Sequence, residues 1–200
     1  TGEGGLSPHH LEGGCDVIMQ IGTAKYGIRD HEGNLSVERA RELGKVVKAF
    51  EIKLSQGAKP GKGGVLPGGK VTEEIARIRG IPVGVDSISP NRHLDIATMD
   101  ELLDKIVFLR EVTGRPVGVK TAIGGWEFIN DLCESVLRRG LAYAPDFLVI
   151  DGGEGGSGAA PQTLADHMSL PIAEALPRVI DSLLQADLKQ RVRVVASGKL

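Results

Sequence analysis

Two hundred residues carry 24 Lys and Arg against 26 Asp and Glu, a net charge of −2, and 41% apolar content, enough to bury a sizeable core in a soluble domain. A charge so near zero, no basic run and 4% aromatic residues argue against a nucleic-acid surface. No stretch approaches the apolar length of a membrane span, and Cys15 and Cys133 form neither a disulfide framework nor a metal spacing, so we expect a cytoplasmic protein.

Short apolar runs alternate with helical stripes along the chain. The first run, Asp16 to Ile21, precedes a stripe of Val37, Ala40, Leu43, Val47 and Phe50 behind Ser36, a good N-cap. A second run covers Phe50 to Leu54. Thr72 then opens a short helix that Gly80 ends, and a third run covers Val83 to Ile88. Leu102, Leu103, Ile106 and Leu109 form a stripe behind Asp100, followed by the run Pro116 to Lys120. Phe128, Leu132, Cys133, Val136 and Leu137 form the next, closed by Gly140, with Cys133 on the packed side, and the fifth run spans Asp146 to Ile150. A last helix starts near Pro171 and passes Val179, Leu183 and Leu184, with a kink expected at Pro177, before the run Val192 to Ala196.

Near-continuous apolar runs suit strands buried on both faces, so this order predicts one α/β domain with a parallel sheet. Both an open doubly wound sheet and a barrel fit it. A closed barrel needs about eight strands, so about six runs would be an incomplete one. The chain starts at Thr1 and stops two residues after Gly198, and we expect both ends to be internal to a longer protein.

The unusual loops follow strand ends, where such folds place their sites. Gly64 to Lys70 fits a phosphate-loop spacing, but Val71 stands where Ser or Thr must meet magnesium. Gly153 to Gly158 fits a dinucleotide fingerprint, yet Pro161 and the next dozen residues read as loop, leaving no helix to receive a phosphate. Glycines there would instead let backbone N–H groups approach a flat or anionic ligand. Lys53, Lys59, Lys62, Arg92, Lys120 and Lys199 place cations on these ends and loops, and Lys120 closes an apolar run so that its head should enter the mouth. Arg92 and Asp95 form either a plain turn after Pro90 or a grip on a diacid. His93 has no partner at ligand spacing, so no metal site is expected.

Thr1-Gly2-Glu3-Gly4-Gly5, Gln56-Gly57-Ala58-Lys59-Pro60-Gly61, Ile88-Ser89-Pro90 and Asp151-Gly152-Gly153-Glu154-Gly155-Gly156-Ser157-Gly158-Ala159 together resemble the FMN-binding domain of glutamate synthase, in its short archaeal-type or stand-alone form. The resemblance runs through essentially all 200 residues. It implies an incomplete TIM-type (β/α)8 barrel with about six of eight β/α units, an internal portion of that domain forming a single unit over residues 1–200. It also implies reductive amination of 2-oxoglutarate with ammonia through 2-iminoglutarate, with hydride from reduced FMN, giving L-glutamate.

Carried onto this chain, the resemblance suggests Gln56 and Lys120 for the flavin pyrimidine edge. Gly152, Gly153, Gly155 and Gly156 would form the cofactor loop, and the Ser197-Gly198 turn would supply backbone donors to the phosphate. Lys59, Arg92 and Asp95 would position substrate, with Lys120, Glu154 and Asp151 as catalytic groups. The amidotransferase domain, the iron–sulfur cysteines and the remaining strands would lie outside this chain, so the function belongs to the longer protein. A glutaminase subunit and an electron donor, ferredoxin or an NAD(P)H-linked subunit, would be its partners. Rival readings are another FMN or phosphate barrel, such as a type 2 isopentenyl-diphosphate isomerase, a non-catalytic docking segment, or an open sheet whose glycine loops are only turns.

Overall fold

The computed structural model describes residues 2–199, apart from the side chain of Ala159. Thr1, the first residue of one resemblance string, lies outside the described residues. In chain order the elements are α1 (His9–Glu12), β1 (Ile18–Ile21), α2 (Val37–Val46), β2 (Ala49–Lys53), β3 (Val65–Leu66), α3 (Glu73–Arg79), β4 (Ser87–Ile88) and α4 (Met99–Thr113). Then follow β5 (Val117–Thr121), α5 (Glu127–Arg139), β6 (Phe147–Asp151), α6 (Gln162–His167), α7 (Ile172–Gln185) and β7 (Arg193–Ser197).

Five strands form one parallel sheet in the order β1-β2-β5-β6-β7. Each sheet strand pairs with the next sheet strand in sequence, without reversal. One face packs on the helices. Met19, Ile21, Phe50, Ile52, Val117, Val119, Leu148 and Ile150 join Leu103, Ile106, Leu132, Val136, Val179 and Leu183 in a single buried cluster. A doubly wound sheet would reverse its order and carry helices on both faces. The sequential order and one-sided cover are instead compatible with part of a barrel.

Two sequence expectations give way here. The run Val83 to Ile88 is not a strand of the sheet. Gly84 adopts a left-handed backbone (φ 71°), Val83 and Val85 stay exposed, and only Ser87–Ile88 pairs, antiparallel, with Val65–Leu66. Its Val-x-Val alternation imitated a strand, but the turn leaves no row of donors to pair. Five parallel strands remain where six were expected, and β2 pairs directly with β5. The stretch after Pro161 is not all loop, since Gln162–His167 is helical.

The caps explain where the helices start. Ser36 and Thr72 accept from Arg39 N–H and Ile75 N–H, as expected. The fourth helix is capped by Thr98, not opened at Asp100. Thr98 and Glu101 form a reciprocal capping box, and Asp100 instead pairs with Arg138 of α5 at 2.6 Å. Helix α7 runs through Pro177 as one element. Cys133 is buried in the core, with Sγ near Ser182 O. No helix is long and apolar enough to cross a membrane among the described residues.

Candidate functional site

Side chains alternate across a strand, so the residues between the core positions project from the other face. Register then sets polar groups side by side. Gln20 of β1 lies opposite Glu51 of β2, Lys53 opposite Lys120 of β5, and Asp151 of β6 opposite Ser197 of β7. A band of amide, acid, ammonium and hydroxyl groups thus crosses the helix-free face, nearest the carboxyl ends of the strands.

Asp151 is the junction of this band and is 7% exposed. Its Oδ1 accepts the Ser197 hydroxyl at 2.5 Å, and its Oδ2 accepts Gly57 N–H at 2.7 Å and faces Lys120 Nζ at 3.5 Å. One carboxylate therefore ties three strands to the loop after β2. Ala58 N–H donates to Gly155 O at 3.0 Å, bringing the loops after β2 and β6 into contact. Glycine is required at that crossing. A Cβ on Gly57 would overlap Gly152 O and stand 2.8 Å from Gly155 O, and one on Gly155 would stand 2.6 Å from Gly198 Cα.

Beside the crossing opens a cleft of about 330 Å³. Gln56, Lys53, Lys59, Lys62, Arg79 and Tyr26 line it. Its wall is fixed by Thr23 Oγ1 donating to Pro90 O at 2.6 Å and by the Tyr26 hydroxyl between Ser87 and Ser89. Lys53 is paired with Glu3 at 2.7 Å. Several cations around one small opening suit a ligand with more than one negative group.

The expected site residues divide into three groups. Asp151, Lys120, Ser197, Gly152, Gly155 and Gly198 meet at the strand ends, and Gly152 N–H donates to Ser197 O at 2.9 Å. Gln56 and Lys59 line the neighbouring cleft. Others point elsewhere. Gly153 N–H is taken by Leu170 O, Gly156 is exposed, and both oxygens of Glu154 accept Ile172 N–H at 3.1 Å, capping α7. Arg92 is exposed and does not line the cleft.

Asp95 is placed away from the cleft, clamped by Lys25 at 3.0 Å and Lys105 at 2.8 Å. Partial burial opposes its ionisation, but hydrogen bonds from Lys105 and Lys25 outweigh it and hold the carboxyl well below the usual carboxylate range. His93 is buried with Nε2 against Lys53 O at 2.9 Å, and burial lowers its pKa, so it holds the end of β2 as a neutral ring. No group of three His, Cys, Asp or Glu side chains could hold a metal among the described residues.

Sequence reading missed Gln20 and Glu51, which are 6% and 3% exposed and hydrogen-bonded to each other. The signal was present, since an acid inside the apolar run Phe50-Glu51-Ile52 is out of character for a buried strand. It also missed Glu3, Tyr26 and Arg79, which reach the cleft from segments distant in sequence.

All 200 residues match the family model described as a conserved region in glutamate synthase. This chain belongs to the glutamate synthase family. It is 45% identical to the glutamate synthase large subunit-like protein YerD of Bacillus subtilis, over 100% of this chain and 38% of that protein. It is 37% identical to the archaeal-type glutamate synthase [NADPH] of Thermotoga neapolitana and to the archaeal glutamate synthase [NADPH] of Methanocaldococcus jannaschii, in each case over 99% of this chain and 36% of the relative. This glutamate synthase domain therefore spans a little over a third of the length of these relatives.

Proposed function

We propose that this chain is the FMN-binding part of a longer glutamate synthase, built as part of an eight-stranded barrel, which reductively aminates 2-oxoglutarate with ammonia through 2-iminoglutarate to L-glutamate. The observation that carries the reading is the Asp151 junction, where Lys120, Ser197 and Gly57 converge on one carboxylate beside a cation-lined cleft. When bound, FMN would supply the hydride that reduces the imine carbon.

The residues present fit that cofactor. Where the loops after β2 and β6 cross, a Cβ at Gly57 or Gly155 would collide with backbone, so these glycines let the two loops close on each other beside Lys120, and the cleft that Gln56 lines next to them is where a flat ring would lie. Lys120 would stabilise negative charge on the ring, and Gln56 would offer its amide to the pyrimidine edge. The Ser197 hydroxyl is engaged by Asp151, so only the backbone around Gly198 is left for a phosphate.

Lys59, with Lys53 and Arg79, would hold the two carboxylates of the diacid. Asp95 takes no part, and Arg92 is not needed. Imine formation expels water and needs a proton delivered to the departing hydroxyl. Asp151 would be the group that holds and returns that proton, whereas Glu154 accepts Ile172 N–H at the start of α7. We propose an NADPH-linked source of electrons, because the archaeal and archaeal-type relatives carry NADPH in their names. The iron–sulfur cysteines would lie outside this chain. The test is glutamate formation from 2-oxoglutarate and ammonium by the full-length protein, with flavin absorbance recorded beforehand. A yellow protein that makes glutamate is expected. A colourless protein that makes none overturns the reading.

A further inference from the structure

We infer that Glu51, oriented by Gln20, is a positioning residue for the proposed reaction: it is a second counter-ion of Lys120 that lets a proton enter and leave Asp151 without stranding the ammonium. This deepens the reading above and rests on it. Glu51 stands on the helix-free face of β2, and its only side-chain hydrogen-bond donor among the described residues is the neutral amide of Gln20 on β1. Its register partner on β5 is Gly118, which has no side chain, so the next side chain projecting from the same face of β5 is Lys120. Lys120 therefore has Glu51 diagonally below it and Asp151 above, the latter 3.5 Å away.

A carboxylate this buried is costly unless a cation shares it. The charged groups acting on Glu51 are Lys53 of its own strand, Lys120 of β5 and Asp151 of β6, and Lys53 already has Glu3. Glu51 makes no direct ion pair among the described residues, so Lys120 balances it from the register diagonal and not by contact. Burial, aided by Asp151, raises the Glu51 carboxyl above the ordinary range, against the opposing pull of the Gln20 hydrogen bond, Lys120 and Lys53. When Asp151 Oδ2 takes up a proton it stops balancing Lys120, and Glu51 still offsets the charge of that ammonium from the diagonal position. Without Glu51, Lys120 would be balanced by Asp151 alone.

The test is the Glu51→Gln variant of the full-length protein, assayed for glutamate formation across pH. We expect turnover to fall about tenfold near neutrality, its acid limb to move to lower pH, and KM for 2-oxoglutarate to stay unchanged. Glu51→Asp should recover part of the wild-type profile. A folded variant whose profile overlays wild type, or falls without moving, makes Glu51 a structural filler and overturns the inference. Should Glu51→Gln fail to fold, infrared titration of protein carrying isotope-labelled glutamate decides instead. Lys120→Met should raise the titration of the buried acid and Asp151→Asn should lower it, and a band that neither moves overturns the pairing. A wild-type protein that makes no glutamate overturns the functional reading alone, because the infrared result reports the pairing without turnover.

Discussion

The two faces of one sheet solve opposite problems. On the helix side Phe50, Ile52, Val119, Leu148 and Ile150 are fully buried. On the other side Glu51, Lys53, Lys120 and Asp151 each stand next in sequence to one of those positions, with Gln20 of β1 opposite Glu51. Apolar burial on the first face stabilises the sheet by roughly 1.5–3 kcal/mol per large side chain. Charges on the second add little net stability, because desolvation offsets their attraction. The contrast teaches that stability and chemistry are separated by the two-residue period of the strand, and substitutions on the two faces should fail in different ways.

The largest expected effect lies on the helix face. Phe50→Ala should cost about 3–5 kcal/mol in chemical denaturation, and a smaller loss would mean that the core collapses around the cavity. On the opposite face, Lys120→Ala should slow glutamate formation by the full-length protein about a hundredfold, and it should also lower the denaturation midpoint, because Asp151 and Glu51 are left buried without their cation. Wild-type turnover in that variant would end the functional contrast between the faces.

A third substitution tests a charged residue that belongs to the structural side. Asp95→Asn should cost on the order of 2 kcal/mol at neutral pH without altering KM for 2-oxoglutarate, because its carboxylate serves Lys25 and Lys105. Its folded pKa is depressed, so this stability is present above the ordinary carboxylate value near 4 and is lost as pH falls through the lowered value; the loss should disappear in the variant. His93 carries a milder dependence of the same sign. Burial lowers its pKa, so its contribution is complete above about pH 6.5 and declines as acid charges the ring, and midpoints recorded across that range should show it. Smallest is Thr98→Ala, expected to lower stability by about 1 kcal/mol through loss of the capping box on α4.

Much of the fold is legible in the sequence. Thr72, Gly80 and Gly140 mark helix ends because capping is a local matter, and the runs at Phe50, Val117 and Phe147 mark strands because burial on both faces demands continuous apolar sequence. Val83 to Ile88 misled because alternation says nothing of whether a partner strand exists. Asp95 and Glu154 were expected at the site, and the structure has their carboxylates held by Lys25 and Lys105 and by Ile172 N–H, because a place on a loop after a strand does not fix where a side chain points.

The sequence by itself determined most of the order of elements, the family and the loops that bear glycine, since these depend on residues close together or on strings long enough to be distinctive. Only the tertiary structure decided that Asp151, Lys120, Ser197 and Gly57 form one junction, that Glu51 lies beneath it, and that Asp95 does not join it. Those pairings depend on strand register and loop crossing, which are set by packing between segments far apart along the chain.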